Sequence, residues 1–131
     1  MTKFLLLTIL LFTGISSFAQ TQTEKEVLEL LSHKWKVTDV ELNGEKQPAH
    51  SEFGDVFLEL KADGSFIAND PGKKEQKGKW SYDHKGKTLI IIGEEKQKKK
   101  KHELIKISDS DLIIKMGEDG IILTLILKRA D

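Results

Sequence analysis

"DVFLELKADGSFIAND", residues 55–70, decides the fold. Residues 55–61 read as a strand, and Ala62-Asp63-Gly64 as a tight hairpin turn. Ser65 to Asn69 read as the returning strand, which Asp70-Pro71-Gly72 ends. The same unit, a short run followed by a turn, recurs along most of the chain.

Upstream, "WKVTDVEL" at 35–42 is a strand whose apolar residues change parity. Trp35 and Val37 share one face, Val40 and Leu42 the other, which a β-bulge near Thr38–Asp39 would reconcile. Asn43-Gly44 is a strong turn signal, and Gln47 to Gly54 reads as a loop. Downstream, strands are expected over Lys77–Tyr82, Lys87–Ile92, a segment ending at Ile107, Asp111–Met116 and Ile121–Arg129. Asp83–Gly86, residues 93–97, Ser108–Ser110 and Glu118–Gly120 are the turns between them.

The count is eight strands joined by short turns. An all-β class follows, and sequential short connections favour an eight-stranded antiparallel up-and-down barrel. Closure removes the edges that a flat sheet would expose. The exception to the strand pattern is "TEKEVLELL" at 23–31. Thr23 and Glu26 have capping-box spacing, and Val27, Leu30 and Leu31 make one apolar face, so a short N-terminal helix is expected there.

Residues 1–19, "MTKFLLLTILLFTGISSFA", show a basic start at Lys3, an apolar core from Phe4 to Phe12, and a small-residue cleavage site ending at Ala19. This is the three-part pattern of a secretory signal peptide, too short for a comfortable membrane span. The expected organisation is residues 1–19 as signal and residues 20–131 as one barrel domain. The mature protein would be exported, periplasmic or secreted, monomeric, and without a membrane span. The whole chain carries 21 basic and 21 acidic residues. Removing Lys3 with the signal leaves the mature chain near neutral, which argues against a nucleic-acid partner. There are no cysteines, so an exported domain of this size must be held by its apolar core rather than by disulfides.

The order and spacing of "LLSHKWKVTDVELNG" (30–44), "LELKADGSF" (58–66), "KGKWSYD" (77–83) and "LTLILKR" (123–129) resemble the lipocalin-like families of the calycin group, in particular the short exported type found in Bacteroidetes. The resemblance covers the whole mature chain. It implies a tryptophan early in the first strand, here Trp35, although the glycine that usually stands two residues before it is His33. It also implies a basic residue near the end of the last strand that packs over this tryptophan, a place that suits Arg129. The Trp35–Arg129 pair would close one end of the barrel, with the helix plugging the same end.

Catalytic chemistry is not visible in the sequence. The four histidines, His33, His50, His84 and His102, show no metal-ligand spacing. Asp63, Asp70 and Asp83 sit where Asx turns are expected. Neither a phosphate loop nor a nucleophile elbow occurs. No catalytic residue, metal or cofactor is assigned, and an enzyme is not expected.

Barrels of this type bind small apolar molecules in the cup. Phe66, Trp80, Tyr82 and Met116 are placed on or near the inner wall, with Tyr82 as the polar group able to orient a ligand. An eight-stranded barrel can also be filled by its own side chains. The chain would then act as a protein-interaction or inhibitor module through the loops at 45–54 and 70–77.

The lysine run Lys98–Lys101 lies in the sixth strand. Counting back from Ile105 and Ile107 gives Lys99 and Lys101 the inward parity, and Lys98 and Lys100 the outward one. Unpaired ammonium groups are costly inside an apolar cup. Either this hairpin projects past the rim, or Lys99 and Lys101 ring the mouth and select a ligand with an anionic head.

Overall fold

The computed structural model describes residues 22–48, 56–69, 74–95 and 97–131. The expected signal peptide falls on residues outside this set, as do residues 49–55 and 70–73, on which most of the expected 47–54 loop and the Asp70-Pro71-Gly72 turn fall.

Helix α1 spans Glu24–Leu31 and begins as the sequence implies. The Thr23 Oγ1 accepts from the Glu26 backbone N–H at 3.2 Å and donates to the Glu26 carboxylate at 3.1 Å. Glu24 and Glu26 in the first turn also suit the positive end of the helix dipole. Val27 and Leu31 are the buried residues of its apolar face.

Nine strand segments follow among the described residues: β1 (Lys34–Leu42), β2 (Glu45–Pro48), β3 (Phe57–Leu60), β4 (Ser65–Asn69), β5 (Gln76–Asp83), β6 (Thr88–Gly93), β7 (Lys99–Ile107), β8 (Asp111–Glu118) and β9 (Ile121–Arg129). Each pairs antiparallel with its neighbours, and β1 also pairs with β9, which closes the sheet. On its other edge β1 is shared. β3 pairs with Lys34–Lys36 and β2 with Asp39–Leu42. These two segments fill one position, so the result is a closed eight-stranded antiparallel barrel with one short helix before the first strand.

Segment β2 corrects the expectation of a loop from Gln47. "EKQP" has no apolar alternation to announce a strand, and it is held by backbone pairing to β1 across the Asn43-Gly44 turn. Both turn residues have positive φ, 51° and 87°, which is the two-residue hairpin geometry that Asn-Gly favours. The bulge expected in β1 is present, with the β1–β9 register shifting between Val37 and Asp39.

Register sorts the side chains into two faces. Paired residues share a face, and the rows Leu60–Phe66–Gly78, Trp80–Ile91–Lys100 and Tyr82–Leu89–His102 point inward. On the far side Val37–Leu127–Leu112 and Val40–Leu125–Ile114 complete the inner wall. Gly78 makes one close approach possible. A Cβ there would lie 2.7 Å from the Phe66 ring and 2.0 Å from the Ile92 backbone oxygen.

The helix seals one end. Trp35 is fully buried, and its Nε1 donates to the Leu31 carbonyl at 3.0 Å, satisfying one of the acceptors that a helix terminus leaves open. Val27 and Leu31 join Trp35, Leu60, Leu112 and Leu127 in one core.

Arg129, the basic residue that the resemblance implied beside Trp35, forms no cation–π contact among the described residues. It stands opposite Trp35 in the β1–β9 register, but its Nε donates to Asp131 Oδ1 at 2.8 Å. The cation–π contacts among the described residues are instead Lys34 and Lys36 over the Phe57 ring, at 4.7 and 5.8 Å. Asp131 also accepts from His33 Nδ1 at 3.1 Å and from the Lys34 N–H at 3.3 Å. The Arg129 bond, with the His33 and Lys34 contacts adding to it, holds the Asp131 carboxyl down at about 2.

Candidate functional site: the helix-distal half of the barrel

The inward face differs between the two ends of the barrel. Around the helix it is packed solid: Trp35, Leu60, Leu89, Leu112 and Leu127 are at most 1% exposed. Toward the opposite end the inward residues Leu58, Ala68, Ile91, Met116, Leu123 and Leu125 are only half-buried, and Leu42 is 43% exposed. The inner wall is thus fully buried around the helix and partly exposed toward the other end.

Phe66 and Trp80 belong to the floor rather than to the open part, at 3% and 7% exposure. The Trp80 Nε1 donates to the Lys61 carbonyl at 2.8 Å, pinning β5 to the Asp63-Gly64 turn. That turn is itself an Asx turn, with the Asp63 carboxylate accepting from the Ser65 N–H and hydroxyl. These bonds hold the Asp63 carboxyl below its ordinary range.

Tyr82 is buried as well, edge-on to the His84 ring at 5.7 Å between centroids. Burial, with smaller contributions from Asp83 and Glu24, raises its phenol above the usual range. Met116 is the one of these four inner-wall residues that stands in the half-exposed tier, opposite Leu123.

The lysine run is placed differently from its expected parity. The β7–β8 register shifts between Leu104 and Lys106, so Ile105 occupies a bulge and is 51% exposed. Ile105 and Ile107 therefore do not share a face. Leu104 and His102 point inward, Lys100 follows them, and Lys99 and Lys101 point outward. On the outer wall Ile92 pairs with Lys79 and Lys99, and Ile90 with Ser81 and Lys101. Aliphatic lysine stems beside half-buried isoleucines are an economical cover for an outward apolar stripe. Lys101 also borders a wide groove of about 300 Å³ with Thr88, Glu103, Lys115, Met116, Gly117 and Ile122, so that Met116 reaches this groove as well. Its mixed charge and openness are unlike an apolar ligand site.

His102 is a feature that sequence reasoning passed over. It is 6% exposed and, with Tyr82, is one of the two buried ionisable side chains among the described residues; its Nδ1, like that of half-buried His84, has no hydrogen-bond partner. Burial lowers its basicity, the nearby Lys100 charge adds to that, and the Leu89 backbone opposes it. The signal available in the sequence was the pattern "HEL" at 102–104, which gives His102 the parity of Leu104. Among the described residues no group of three His, Asp or Glu side chains is arranged to hold a metal ion.

Comparison with known proteins agrees with this architecture. A family model described as a lipocalin-like domain matches residues 31–114. No curated protein matches. Among solved structures, a lipocalin-like protein from Bacteroides uniformis superposes with a TM-score of 0.61 at 18% identity, covering 76% of this chain and 98% of that one. An uncharacterized protein from Bacteroides eggerthii superposes with a TM-score of 0.58 at 11% identity, covering 76% of this chain and 99% of that one. At such identities the likeness is one of fold.

Proposed function

Because this chain belongs to the lipocalin-like domain family, we propose that it is an exported, non-enzymatic binding protein that holds a small apolar or amphipathic molecule in its cup. The observation that carries the reading is the contrast along the inner wall. The helix end is packed, whereas the inward aliphatic side chains of the other half reach solvent. Apolar surface left open to water on the inside of a barrel is a site for an apolar guest, since burying it gains about 25 cal/mol per Å². The N-terminal leader pattern supports export. The ligand would be held by shape and burial, and no acid–base pair is needed.

The test is uptake of the fluorescent probe N-phenyl-1-naphthylamine by the mature chain. Saturable enhancement is expected for the wild type. It should be strongly reduced by Ala68→Trp, which fills the cup from β4, and by Met116→Trp, which fills it from β8. No uptake by the wild type, or uptake unchanged in both folded variants, would overturn the reading in favour of a filled barrel that acts through its surface.

A further inference from the structure

The ladder between β7 and β8 ends before either strand does. Their register runs from Ile107 opposite Leu112 to Glu103 opposite Lys115 and stops there. Strand β7 nevertheless runs back to Lys99, its residues 99–102 paired with β6 alone. Strand β8 runs on to Glu118, its residues 116–118 paired with β9 alone. The groove of about 300 Å³ lies at this parting, with Lys101 on one bank and Gly117 on the other.

Strand alternation fixes what the banks offer. The Leu104 N–H donates to the Lys87 carbonyl, on the side of β6. Backbone groups alternate sides along a strand, so Glu103, Lys101 and Lys99 direct theirs toward β8. By the same count Lys115 and Gly117 direct theirs toward β7. Glu103 and Lys115 are the last ladder pair. Lys99, Lys101 and Gly117 therefore turn N–H and C=O groups toward the groove beyond the end of the ladder. Gly117 keeps its bank clear, since a Cβ there would meet nothing within 4 Å.

Such groups are the equipment of an open sheet edge, which takes up an extended chain as an added strand. The charges select the chain. Lys99 and Lys101 point outward along the β7 bank, and Lys115 lies in the lining. None of the ion pairs among the described residues involves these three lysines, and Glu103 is the one carboxylate in the lining. Glu118 and Asp119 follow Gly117 toward the β8–β9 turn, so the β7 bank is the basic one. A second copy adding through the same edge would set lysine against lysine, which disfavours self-pairing. An acidic strand meets the opposite sign. Met116 adds an apolar contact to the groove, so alternate acidic and apolar side chains suit its two faces.

We propose that the parting of β7 and β8 is a docking site for an extended acidic segment of another protein, which adds as a strand along Lys99–Lys101. The site does not depend on a guest in the cup.

The experiment is fluorescence anisotropy of a fluorescein-labelled heptapeptide of alternating glutamate and valine, titrated with the mature protein. Saturable binding is expected. The same peptide with every backbone amide N-methylated, or with lysine in place of glutamate, should not bind. Lys101→Glu, and Gly117→Phe, which fills the groove from an open position, should each weaken binding about tenfold or more, the worth of one charge-assisted bond. Lys85→Glu, the same change of charge at an exposed position in the β5–β6 turn at the helix end, should not. Bound peptide should slow hydrogen exchange at the Lys99 and Lys101 amides and leave β3 unaffected. Absence of binding, equal binding of the N-methylated peptide, or affinity retained in both groove variants overturns the proposal. A dimer in sedimentation that Gly117→Phe abolishes and the peptide fails to dissociate would give the edge to a second copy and overturn it as well.

Discussion

Gly78→Ala is the sharpest test of the inner wall, because its register partner serves as a control. Gly78 and Gly93 face each other across β5 and β6, yet their surroundings differ. A methyl group on Gly78 would meet the Ile92 carbonyl oxygen at 2.0 Å and the Phe66 ring at 2.7 Å, whereas one on Gly93 would meet nothing within 4 Å. Ordinary contact begins near 3.4 Å, so β6 would have to move by more than an ångström or Phe66, itself 3% exposed, would have to leave its place. The closest atom is backbone in a paired strand and cannot rotate away. Overpacking of this kind costs about 1–3 kcal/mol, and about 2 kcal/mol would lower Tm by about 10 °C in a domain of this size. Gly93→Ala should be neutral or stabilise by up to about 1 kcal/mol, since glycine weakens a strand interior. Urea unfolding of the mature chain, followed by tryptophan fluorescence, reads both. A Gly78→Ala loss below about 0.5 kcal/mol, or equal effects at the two positions, would refute the packing of Phe66 over β5 described above.

Other outcomes follow from individual contacts. Trp35→Phe keeps most of the buried ring but leaves the Leu31 carbonyl without its donor, and should cost about 1–3 kcal/mol in the same urea assay. His102 is harder to protonate in the folded protein than at its ordinary 6.5. The unfolded chain therefore binds more protons just below that pH. The contribution of His102 is complete above pH 6.5 and is lost as pH falls toward the lower folded value, at up to about 1.4 kcal/mol per pH unit. His102→Gln should flatten that segment of the stability–pH curve. Asp131 has the opposite charge type, with a carboxyl held at about 2 against an ordinary 3.8. Its contribution is present above 3.8 and lost as pH falls through about 2. Asp131→Asn should therefore lower stability at neutral pH and converge with wild type at about pH 2, by a small amount because the site is open to solvent.

The elements that the chain announced locally are the ones legible beforehand. Thr23 with Glu26, Asn43-Gly44 and Asp63-Gly64 are each decided by contacts within a few residues, and each stands as read. The bulge in β1 was visible because Trp35, Val37, Val40 and Leu42 cannot share a face without it. The bulge in β7 is of the same kind, but "LIKI" at 104–107 offers three aliphatic residues, and the sequence alone does not say which is displaced. Choosing Ile105 and Ile107 as the inward pair reversed the parity of the whole lysine run. Segment β2 escaped notice because it pairs through backbone alone. The bond from Arg129 to Asp131 is a contact of the chain's last residues that the strand pattern does not express. The composition of the inner wall was half-visible. Met116 lies in the open tier, whereas Phe66, Trp80 and Tyr82 form the floor beneath it, and Lys100 and His102 take the inward places first given to Lys99 and Lys101.

The most direct measurement of the cup is native mass spectrometry of the mature protein purified from its own host, compared with the same sample after denaturation. A ligand-holding cup predicts a native mass exceeding that of the chain by one small amphiphile, released on unfolding and regained by incubation with laurate. A bare chain mass in both states, unchanged by an excess of laurate, would contradict it.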